Sequence, residues 1–278
     1  MINYTDNYFD LELLRLSELK LHEATENKRL RNIFSRIARA KFLMNPVITG
    51  RHNDDLILLD GANRYGSLKE IGCRLILAQV LNYHDKNLIL DKWNHLIYDF
   101  HLNDLKKHCE VYELPFKKVS FSKGQEILDD NLNYVLAADI QYDENILIKL
   151  SHRLENIIMQ LDAITKLYFR HFVFDRSESD IKFSDLRKYT RRKGTLLIFP
   201  KFRKHHIIEI ANSDYRLPAG ISRHRIYNRV LHVKYEIKKL MSDKNILQKQ
   251  EDLKKLLNEK IDTNKVRQYQ ESVIVFDE

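Results

Sequence analysis

The segment from Leu56 to Gly72, with the sequence LILLDGANRYGSLKEIG, joins an apolar run to a helical pattern through Asp60 and Gly61. A strand-to-helix turn that contains glycine presents backbone N–H groups and the positive end of a helix dipole, which together favour phosphate. Arg64 can add a planar guanidinium to the same anion, and Asp60 stands at the carboxyl end of a strand, where ligands bind in open α/β sheets. The segment predicts a phosphate site. An ordinary turn, with Asp60 capping the helix and Arg64 solvated, is the alternative.

A second segment that could meet an anion is LPAGISRH, residues 217–224. Its proline and glycine lie close together in a chain with only 4 prolines and 7 glycines, which favours a tight turn there. The N–H groups of such a turn and the hydroxyl of Ser222 could bind a phosphate or an amino-acid carboxylate. Arg223 and His224 follow directly and are further candidates. A plain turn that leads into an exposed strand is the alternative.

These residues require elements that hold them in place, and hydrophobic periodicity predicts a compact α/β unit that ends near residue 83. Helices are expected at 26–40 and 65–71, the second closed by Gly72 in a left-handed cap. Strands are expected at 11–16, 46–49, 56–59 and 75–81. The strand at 46–49 is predicted to lie at an edge, because its proline lacks the N–H that a ladder needs.

The remainder of the chain carries a weaker signal and is expected to form a second, mixed α/β domain. We expect helices at 87–107, 144–164, 204–211 and 238–260, and strands at 167–174, 195–199, 226–235 and 272–276. The predicted fold class is therefore α+β. Its parts are an N-terminal α/β domain at 1–85, a second α/β domain at 86–240, and a charged helical segment with a terminal strand at 241–278.

Composition narrows the class of protein. The 278 residues are 44% hydrophobic, which suits a buried core and excludes a chain that is disordered overall. Lys and Arg outnumber Asp and Glu by 47 to 39, so the net charge of +8 permits an anionic partner. Cys73 and Cys109 share no CxxC spacing, which excludes a disulfide scaffold and a cysteine-based zinc cluster. Without a signal-peptide pattern or an apolar stretch near the roughly 18 residues of a membrane span, a soluble cytoplasmic protein is expected.

Four segments together resemble the N-terminal domain of the ParB/sulfiredoxin superfamily: His22-Glu23, PVI at 46–48, LLDGANRYGSLKEIGC at 58–73, and LNY at 81–83. That superfamily has an HE-type segment, a proline-led strand and a D-G-x-H-R phosphate-binding box followed by a helix. The resemblance implies a nucleotide-binding domain. The residues that it assigns to the nucleotide phosphates are His22, Gly61, Ala62, Asn63 and Arg64. Asn63 stands where histidine is usual, and its amide can still donate to an oxygen.

Further segments indicate the branch of the superfamily. Sulfiredoxin needs a cysteine inside the box, which here reads Ala62-Asn63, and the box also differs from the G-E-R-R type of the chromosome-partitioning proteins. The chain is similar to the free L-serine kinase branch, which includes the enzyme encoded with staphyloferrin B biosynthesis. It shares a W-x-H element in DKWNH at 91–95, the segment at 217–224, and a short apolar strand after a charged helix at its end.

The resemblance implies transfer of a phosphoryl group from ATP or ADP to the hydroxyl of free L-serine, with Mg²⁺ as cofactor and O-phospho-L-serine as product for siderophore or cysteine biosynthesis. Such a reaction needs a carboxylate at the acceptor hydroxyl and positive charge at the phosphates. The implied catalytic residues are Glu23, as general base or hydroxyl orienter, and Asp60, at the metal or sharing the base role. The residues implied to bind the substrate are Trp93, His95, Ser222, Arg223 and His224.

Several alternatives stay open. Glu23 could be a first-turn residue at a helix dipole, and Trp93 could belong to the core. The rival function is a ParB-like, nucleotide-switched DNA-binding regulator. Its support is a basic patch with interleaved phenylalanines, made of Arg191, Arg192, Lys193, Phe199, Lys201, Phe202, Arg203 and Lys204. A solvated basic face, or attraction of nucleotides, is the favoured interpretation of that patch.

The sequence also leaves the assembly and the acceptor open. The amphipathic helix at 238–260 could pack on the protein itself or on a second subunit, so a homodimer through the C-terminal region is expected as one possibility. The sequence does not distinguish serine from threonine or homoserine as the acceptor, since one methyl or methylene group changes the binding free energy by only about 1–3 kcal/mol.

Overall fold

The computed structural model of the chain describes residues 9–129, 131–142, 144–178 and 193–268. The described residues form two main sheets with helices packed on them, so the predicted α+β class is confirmed. The predicted strand at 272–276 lies outside the described residues, as do Arg191 and Arg192 of the basic patch.

Six strands and two helices come from the first part of the chain. The strands are β1 (Leu11–Arg15), β2 (Leu19–Leu21), β3 (Phe42–Leu43), β4 (Val47–His52), β5 (Asp55–Asp60) and β6 (Leu75–Asn82), and the helices are α1 (Asn27–Arg39) and α2 (Ala62–Ile71). Five of the strands form a mixed sheet in the spatial order β1-β6-β4-β5-β2. Strand β6 is buried without a break from Leu75 to Ala78, which suits a strand that is covered on both faces.

Glycines set both ends of helix α2. Gly61 precedes the helix with φ 105° and Gly72 follows it with φ 89°, so both adopt the left-handed conformation that glycine takes without a Cβ penalty. At the C-terminal end, the N–H of Gly72 donates to the Lys69 carbonyl (3.1 Å) and the N–H of Cys73 donates to the Leu68 carbonyl (2.9 Å). The predicted left-handed cap at Gly72 is confirmed, and the helix begins at Ala62 rather than at residue 65.

The rest of the described chain adds nine strands and six helices. The strands are β7 (Ile89–Lys92), β8 (Asn94–Tyr98), β9 (Phe116–Lys118), β10 (Tyr134–Asp139), β11 (Asn145–Lys149), β12 (Phe174–Ser177), β13 (Gly194–Ile198), β14 (Ser222–Arg225) and β15 (Tyr235–Glu236). The helices are α3 (Leu102–Val111), α4 (Phe121–Leu128), α5 (Leu154–Phe169), α6 (Lys204–Ala211), α7 (Ile237–Leu240) and α8 (Ile246–Asp262). Six of the strands form an antiparallel sheet in the order β12-β8-β13-β10-β11-β9.

Short pairings join parts of the chain that are distant in sequence. Strand β14 pairs antiparallel with β7, which sets Ser222 opposite Lys92, and β15 pairs with β3. A single parallel bridge joins Glu23, just after β2, to Leu217. These pairings place the 217–224 segment beside the first sheet.

The hydrophobic core crosses the boundary predicted near residue 85. Ile57 of β5 packs in the same buried cluster as residues of the second sheet and α5. Its neighbours Leu56 and Leu58 belong to a different cluster, which also contains Tyr235 and Leu253 from the C-terminal region. Alternate residues of β5 therefore point into two different cores. The three-part division of the chain stays a prediction.

No helix in the described part of the chain combines the length and the apolar character needed to cross a membrane.

The prediction of an edge strand at 46–49 is wrong. Strand β4 lies inside the sheet, between β6 and β5. Pro46 comes immediately before the strand, so the ladder does not need the N–H that proline lacks. The edges of this sheet are β1 and β2.

Two predicted helices contain strands. Residues 87–107 form β7, β8 and the start of α3, while residues 144–164 form β11 before α5 begins. Short apolar runs suit a buried strand as well as a helix, and pairing with neighbouring strands decides between them. The predicted strand at 167–174 is also wrong, because α5 continues to Phe169 and β12 begins only at Phe174.

The predicted strand at 226–235 is wrong for a backbone reason. Only Tyr235 pairs, and the preceding segment has left-handed residues at Asn228 (φ 57°), His232 (φ 56°) and Lys234 (φ 58°). The predicted helix at 238–260 divides into α7 and α8 before Asn245, whose φ is 57°. The predicted strands at 11–16, 56–59, 75–81 and 195–199 and the helices at 26–40 and 204–211 are confirmed to within one or two residues.

Candidate active site

One cleft, with a volume of about 1030 Å³, holds most of the residues that the sequence singled out. The predicted site residues that line it are His22, Glu23, Asp60, Gly61, Ala62, Asn63, Arg64, Trp93, Ser222, Arg223 and His224. The bend at residues 60–64 and the carboxylate of Glu23 therefore open on to the same space.

The segment that contains Glu23 is tied to the turn at residues 217–222. The N–H of Ala24 donates to the Leu217 carbonyl (2.8 Å), and the N–H of Leu217 donates to the His22 carbonyl (2.9 Å). Helix α1 begins at Asn27, so the alternative that Glu23 belongs to its first turn is wrong.

Three neutral donors from that turn reach the Glu23 carboxylate. The N–H of Gly220 donates to Oε2 (3.1 Å), and both the N–H (2.8 Å) and the hydroxyl (2.6 Å) of Ser222 donate to Oε1. Gly220 has φ 76°, a left-handed conformation that aims the N–H groups of the turn at one point. The ionised carboxylate is thus fixed in place by hydrogen bonds that bring no positive charge.

His22 lies behind Ser222 and is buried. Its Nδ1 is 2.9 Å from the Leu58 carbonyl, which can only accept, so the ring hydrogen lies on Nδ1. Its Nε2 is 2.9 Å from the Ser222 hydroxyl oxygen. Burial lowers the pKa of His22, although the negative charge of Glu23 opposes this shift. The ring is therefore neutral near pH 7, with its lone pair directed at Ser222.

Asp60 is held by cations, in contrast to Glu23. Nη2 of Arg64 donates to Oδ2 of Asp60 at 3.0 Å, and Nη2 of Arg229 donates to the same oxygen. Nη1 of Arg64 donates to the Pro46 carbonyl (3.0 Å), which fixes the guanidinium against β4. The alternative in which Arg64 is simply solvated is therefore wrong.

Gly61 allows this packing at the bend. A Cβ at Gly61 would lie 2.7 Å from Cγ1 of Val47 and 3.0 Å from the Arg64 guanidinium, so only glycine fits there. The N-terminal residues of α2, Ala62 and Asn63, line the cleft next to it. The Oδ1 atom of Asn63, which can only accept a hydrogen bond, is buried and has no partner among the described residues.

Trp93 and Arg223 form one wall of the cleft. The guanidinium carbon of Arg223 lies 4.2 Å from the centre of the Trp93 ring, a cation–π contact. Nη1 of Arg223 is also 2.7 Å from Oε1 of Glu178. Because Trp93 is partly exposed and faces the cleft, the alternative that it belongs to the core is wrong.

His95 lies behind the turn instead of lining the cleft. It is fully buried, with Nδ1 2.6 Å from the Tyr168 hydroxyl and Nε2 2.8 Å from the Gly220 carbonyl. Nε2 carries the hydrogen, since a carbonyl only accepts. Burial lowers the pKa of His95 to about 3, so the ring is neutral. The structure therefore gives His95 a position that supports the turn, and not the direct substrate contact that the resemblance implied.

His224 lies at the back of the cleft. Its Nε2 is 3.2 Å from the Tyr83 hydroxyl, and its ring meets the His22 ring edge to face at 5.3 Å between centres. Burial lowers the pKa of His224, and the nearby His22 acts in the same direction. Like His22, it is neutral near pH 7.

Sequence reasoning missed five charged residues of the cleft: Glu26, Arg36, Arg176, Arg225 and Arg229. Arg229 binds Asp60, and Nη2 of Arg176 donates to Oε2 of Glu26 at 3.0 Å. A Cβ at Gly220 would collide with the Arg176 guanidinium, so this ion pair packs directly against the turn. No local sequence signal distinguishes these residues from the many other charged residues of the chain.

The described lining of the cleft is positive overall. Its ionised groups are the arginines at positions 36, 64, 176, 223, 225 and 229 and the carboxylates Glu23, Glu26 and Asp60. Six cations and three anions leave a net charge of +3 when the two buried histidines are neutral. A polyanion is the ligand that such a surface attracts.

The basic patch faces another cavity, of about 940 Å³, which Lys201, Arg203 and Lys204 help to line. Its two phenylalanines do not present their rings to solvent: Phe199 is fully buried and Phe202 is 2% exposed. Base stacking on exposed aromatic rings, which the interleaved pattern allowed, is therefore not possible at these two positions.

No family model matches the chain. The ATP-dependent L-serine kinase SbnI of Staphylococcus aureus (strain NCTC 8325 / PS 47) is 30% identical over 88 residues, which are 31% of this chain and 34% of that protein. The matched part thus spans about a third of the length of this curated relative.

Solved structures cover much more of the chain. SbnI with a C-terminal truncation from Staphylococcus aureus aligns with a TM-score of 0.72 and 19% identity, over 92% of this chain and 99% of the other. A free serine kinase in complex with AMP aligns with a TM-score of 0.67 and 14% identity, over 83% and 93%. A conserved hypothetical protein from Pyrococcus furiosus aligns with a TM-score of 0.66 and 12% identity, over 83% and 97%. The chain therefore has the fold of these proteins.

Proposed function

We propose that this chain is a free L-serine kinase that transfers a phosphoryl group from ATP or ADP to the L-serine hydroxyl and so forms O-phospho-L-serine. One observation carries the proposal: a single positive cleft contains both the 60–64 bend and the fixed carboxylate of Glu23. The names of similar proteins support it: the relative in sequence is an L-serine kinase, and solved structures with a similar fold include that protein and a free serine kinase. We assign the N-terminal domain to the ParB/sulfiredoxin superfamily on the segments that resemble it.

The nucleotide phosphates bind at the 60–64 bend. The N-terminus of α2 offers backbone N–H groups and the positive end of the helix dipole, and Gly61 allows close approach of a ligand to the backbone. Arg64 and Arg229 supply guanidinium groups beside it. His22 is buried behind Ser222, so its contribution is to the position of Glu23 and not to the phosphates.

Glu23 acts on the acceptor alcohol. Three of its hydrogen-bonding positions are occupied by the turn, and Oε2 accepts only from Gly220 among the described donors. The serine hydroxyl donates to Oε2 and loses its proton to it as the oxygen attacks phosphorus. The new O–P bond forms while the bond between phosphorus and the bridging oxygen of the nucleotide breaks, and the shortened nucleotide leaves with the electron pair.

Mg²⁺ would enter with the nucleotide. Among the described residues, no group of three or more His, Cys, Asp or Glu side chains could hold a metal ion, but Mg²⁺ at nucleotide sites is commonly bound by one or two carboxylates together with phosphates and water. Asp60 fits this role, because its two arginine contacts within the described part of the chain are both made by Oδ2, which leaves Oδ1 for the ion. The bound ion would neutralise charge on the phosphates.

The wall made by Trp93 and Arg223 holds the amino acid. The guanidinium of Arg223 is the group best placed to pair with the serine carboxylate, and the Trp93 ring keeps it in position. Ser222, which the resemblance assigned to substrate binding, instead contacts Glu23 and His22. His224 closes the back of the pocket.

The test is direct. The full chain, incubated with Mg²⁺, L-serine and either ATP or ADP, should form phosphoserine, detected by chromatography or ³¹P NMR. A panel with L-threonine and L-homoserine identifies the acceptor. Phosphate release that no amino acid stimulates would indicate a nucleotide hydrolase and contradict the proposal. Salt-sensitive DNA retention without phosphoserine would favour the DNA-binding regulator.

We also propose where the enzyme acts, which pathway uses its product, and how it assembles. It acts in the cytoplasm, it supplies phosphoserine to siderophore or cysteine biosynthesis, and it forms a homodimer through the C-terminal region. Sedimentation velocity over a range of concentrations tests the dimer.

A further inference from the structure

The hydroxyl of Ser222 lies between two acceptors. Its oxygen is 2.6 Å from Oε1 of Glu23 and 2.9 Å from Nε2 of His22. A serine hydroxyl has one hydrogen, so it can donate to only one of them at a time. The Nδ1 of His22 already donates to the Leu58 carbonyl, so a neutral His22 ring has only an acceptor to offer.

The charge on Glu23 decides where this hydrogen goes. An ionised carboxylate is a stronger acceptor than a neutral imidazole, so the hydrogen points to Glu23 while Glu23 is charged. Once Oε2 has taken a proton, Oε1 becomes the carbonyl oxygen of a neutral acid and a weaker acceptor. The lone pair of His22 then competes successfully for the Ser222 hydrogen.

We propose that Ser222 and His22 form a hydroxyl switch that stabilises both protonation states of Glu23, with Ser222 donating to Glu23 before proton uptake and to His22 after it. In the switch both are positioning residues that act through Glu23. No proton moves to His22, whose burial disfavours the charged ring. A role of the switch in catalysis rests on the proposed function. The switch itself depends only on the contacts among Glu23, Ser222 and His22.

Other charged or titratable groups surround the switch and stay constant in the variants below. His224 contacts the His22 ring, and Arg216 acts on it electrostatically. The further ionisable side chains of the cleft are Glu26, Arg36, Asp60, Arg64, Arg176, Arg223, Arg225 and Arg229. Differences between the variants therefore report on the switch.

The switch predicts shifts of opposite sign for its two members. In Ser222→Ala the charged carboxylate loses a donor, so the titration midpoint of Glu23 moves to higher pH. In His22→Leu the hydroxyl has no second acceptor, so the protonated acid loses stabilisation and the midpoint moves to lower pH. Each change should alter the proton dissociation constant roughly threefold to tenfold, the range for one hydrogen bond.

Two conservative variants should restore the native midpoint. Ser222→Thr keeps the hydroxyl, and His22→Gln keeps an acceptor oxygen near the Nε2 position. His108→Gln serves as a matched control, because His108 binds the Ala163 carbonyl, far from Glu23 in the sequence and outside the cleft lining. Far-ultraviolet circular dichroism of each variant verifies that it is folded.

The measurement is NMR of the full chain with ¹³C-labelled glutamate, in which Glu23→Gln identifies the Glu23 signal. The native chain gives an independent readout with ¹⁵N-labelled histidine: the Nε2 signal of His22 should shift at the Glu23 midpoint while the ring stays neutral. Equal-sign shifts in the two variants, a silent His22 signal, or a His22 ring that becomes charged at this midpoint would each overturn the switch. Opposite shifts in a chain that forms no phosphoserine would uphold the switch and contradict the proposed function.

Discussion

The two carboxylates of the cleft differ in what holds them. Among the residues that the structure describes, Glu23 accepts hydrogen bonds only from neutral donors of the 217–222 turn, whereas Asp60 is bound by the guanidinium groups of Arg64 and Arg229. A carboxylate fixed by neutral donors keeps its negative charge available for a proton. A carboxylate fixed by two cations has its charge neutralised locally and orders those cations. The difference favours Glu23 as the base and Asp60 as the organiser of the phosphate side.

Removing the charge of Glu23 should have the largest effect. Glu23→Gln keeps the size of the side chain but cannot take the serine proton, so phosphoserine formation should fall by about 10²–10⁴-fold with nucleotide affinity preserved. Steady-state rates and nucleotide titration separate the two quantities. Glu12→Gln, on β1 in a surface ion pair with Arg51, is the matched control and should retain the native rate. A near-native rate for Glu23→Gln would remove Glu23 from the mechanism.

Removing the charge of Asp60 should affect binding more than chemistry. In Asp60→Asn the two arginines lose their anchor, so the KM for nucleotide should rise about tenfold or more while kcat falls less than in Glu23→Gln. Initial rates at varied nucleotide and Mg²⁺ concentrations test this. If Asp60→Asn lowered kcat as much as Glu23→Gln and left the KM unchanged, the two carboxylates would share the base role.

Lowering the pH should destabilise the folded protein through His95, which supports the turn that holds Glu23. The folded pKa of His95 is about 3, below its unfolded value of about 6.5, so the unfolded state binds more protons between these pH values and stability falls as pH falls through this window. Between pH 7 and pH 5 the loss from His95 should be about 2 kcal/mol, at about 1.4 kcal/mol per pH unit below the unfolded pKa. Urea unfolding at both pH values measures it. The stability of His95→Gln should depend less steeply on pH, and an unchanged slope would refute this origin.

A pair of glycine variants should give the smallest change in stability and separate backbone strain from contact at the turn. Gly220→Ala and Gly72→Ala both place a side chain at positive φ, so each should lower the free energy of unfolding by about 1–2 kcal/mol. A Cβ at Gly72 meets no atom within 4 Å, whereas at Gly220 it would displace Arg176 from its ion pair with Glu26. Only Gly220→Ala should therefore lose phosphoserine formation. Equal activities of the two variants would show that the turn tolerates a side chain.

The sequence alone predicts the turns at both ends of helix α2. Asp60 and Gly61 after an apolar run, and Gly72 after a helical pattern, predicted a strand, a bend and a helix that the structure contains. Each of these features depends on residues within a few positions of one another, so no knowledge of distant partners was needed.

Structural features that depend on contacts between distant parts of the chain could not be predicted from the sequence. The apolar runs in β8 and β11 were assigned to helices, because only pairing with strands elsewhere in the chain distinguishes the two structures. Arg229 lies in a segment predicted as a strand, and its ion pair with Asp60 spans 169 residues. The position of His95 behind Gly220 likewise follows from a contact across 125 residues.

The bridge between Glu23 and Leu217 has a consequence for the order of events during synthesis. Ser222 is the last of the described residues along the chain that donates to the Glu23 carboxylate, and the ribosome adds it 199 residues after Glu23. A nascent polypeptide therefore contains all five strands of the first sheet long before the groups that bind the Glu23 carboxylate are synthesised. A product that ended before residue 217 would therefore lack the turn that fixes the Glu23 carboxylate.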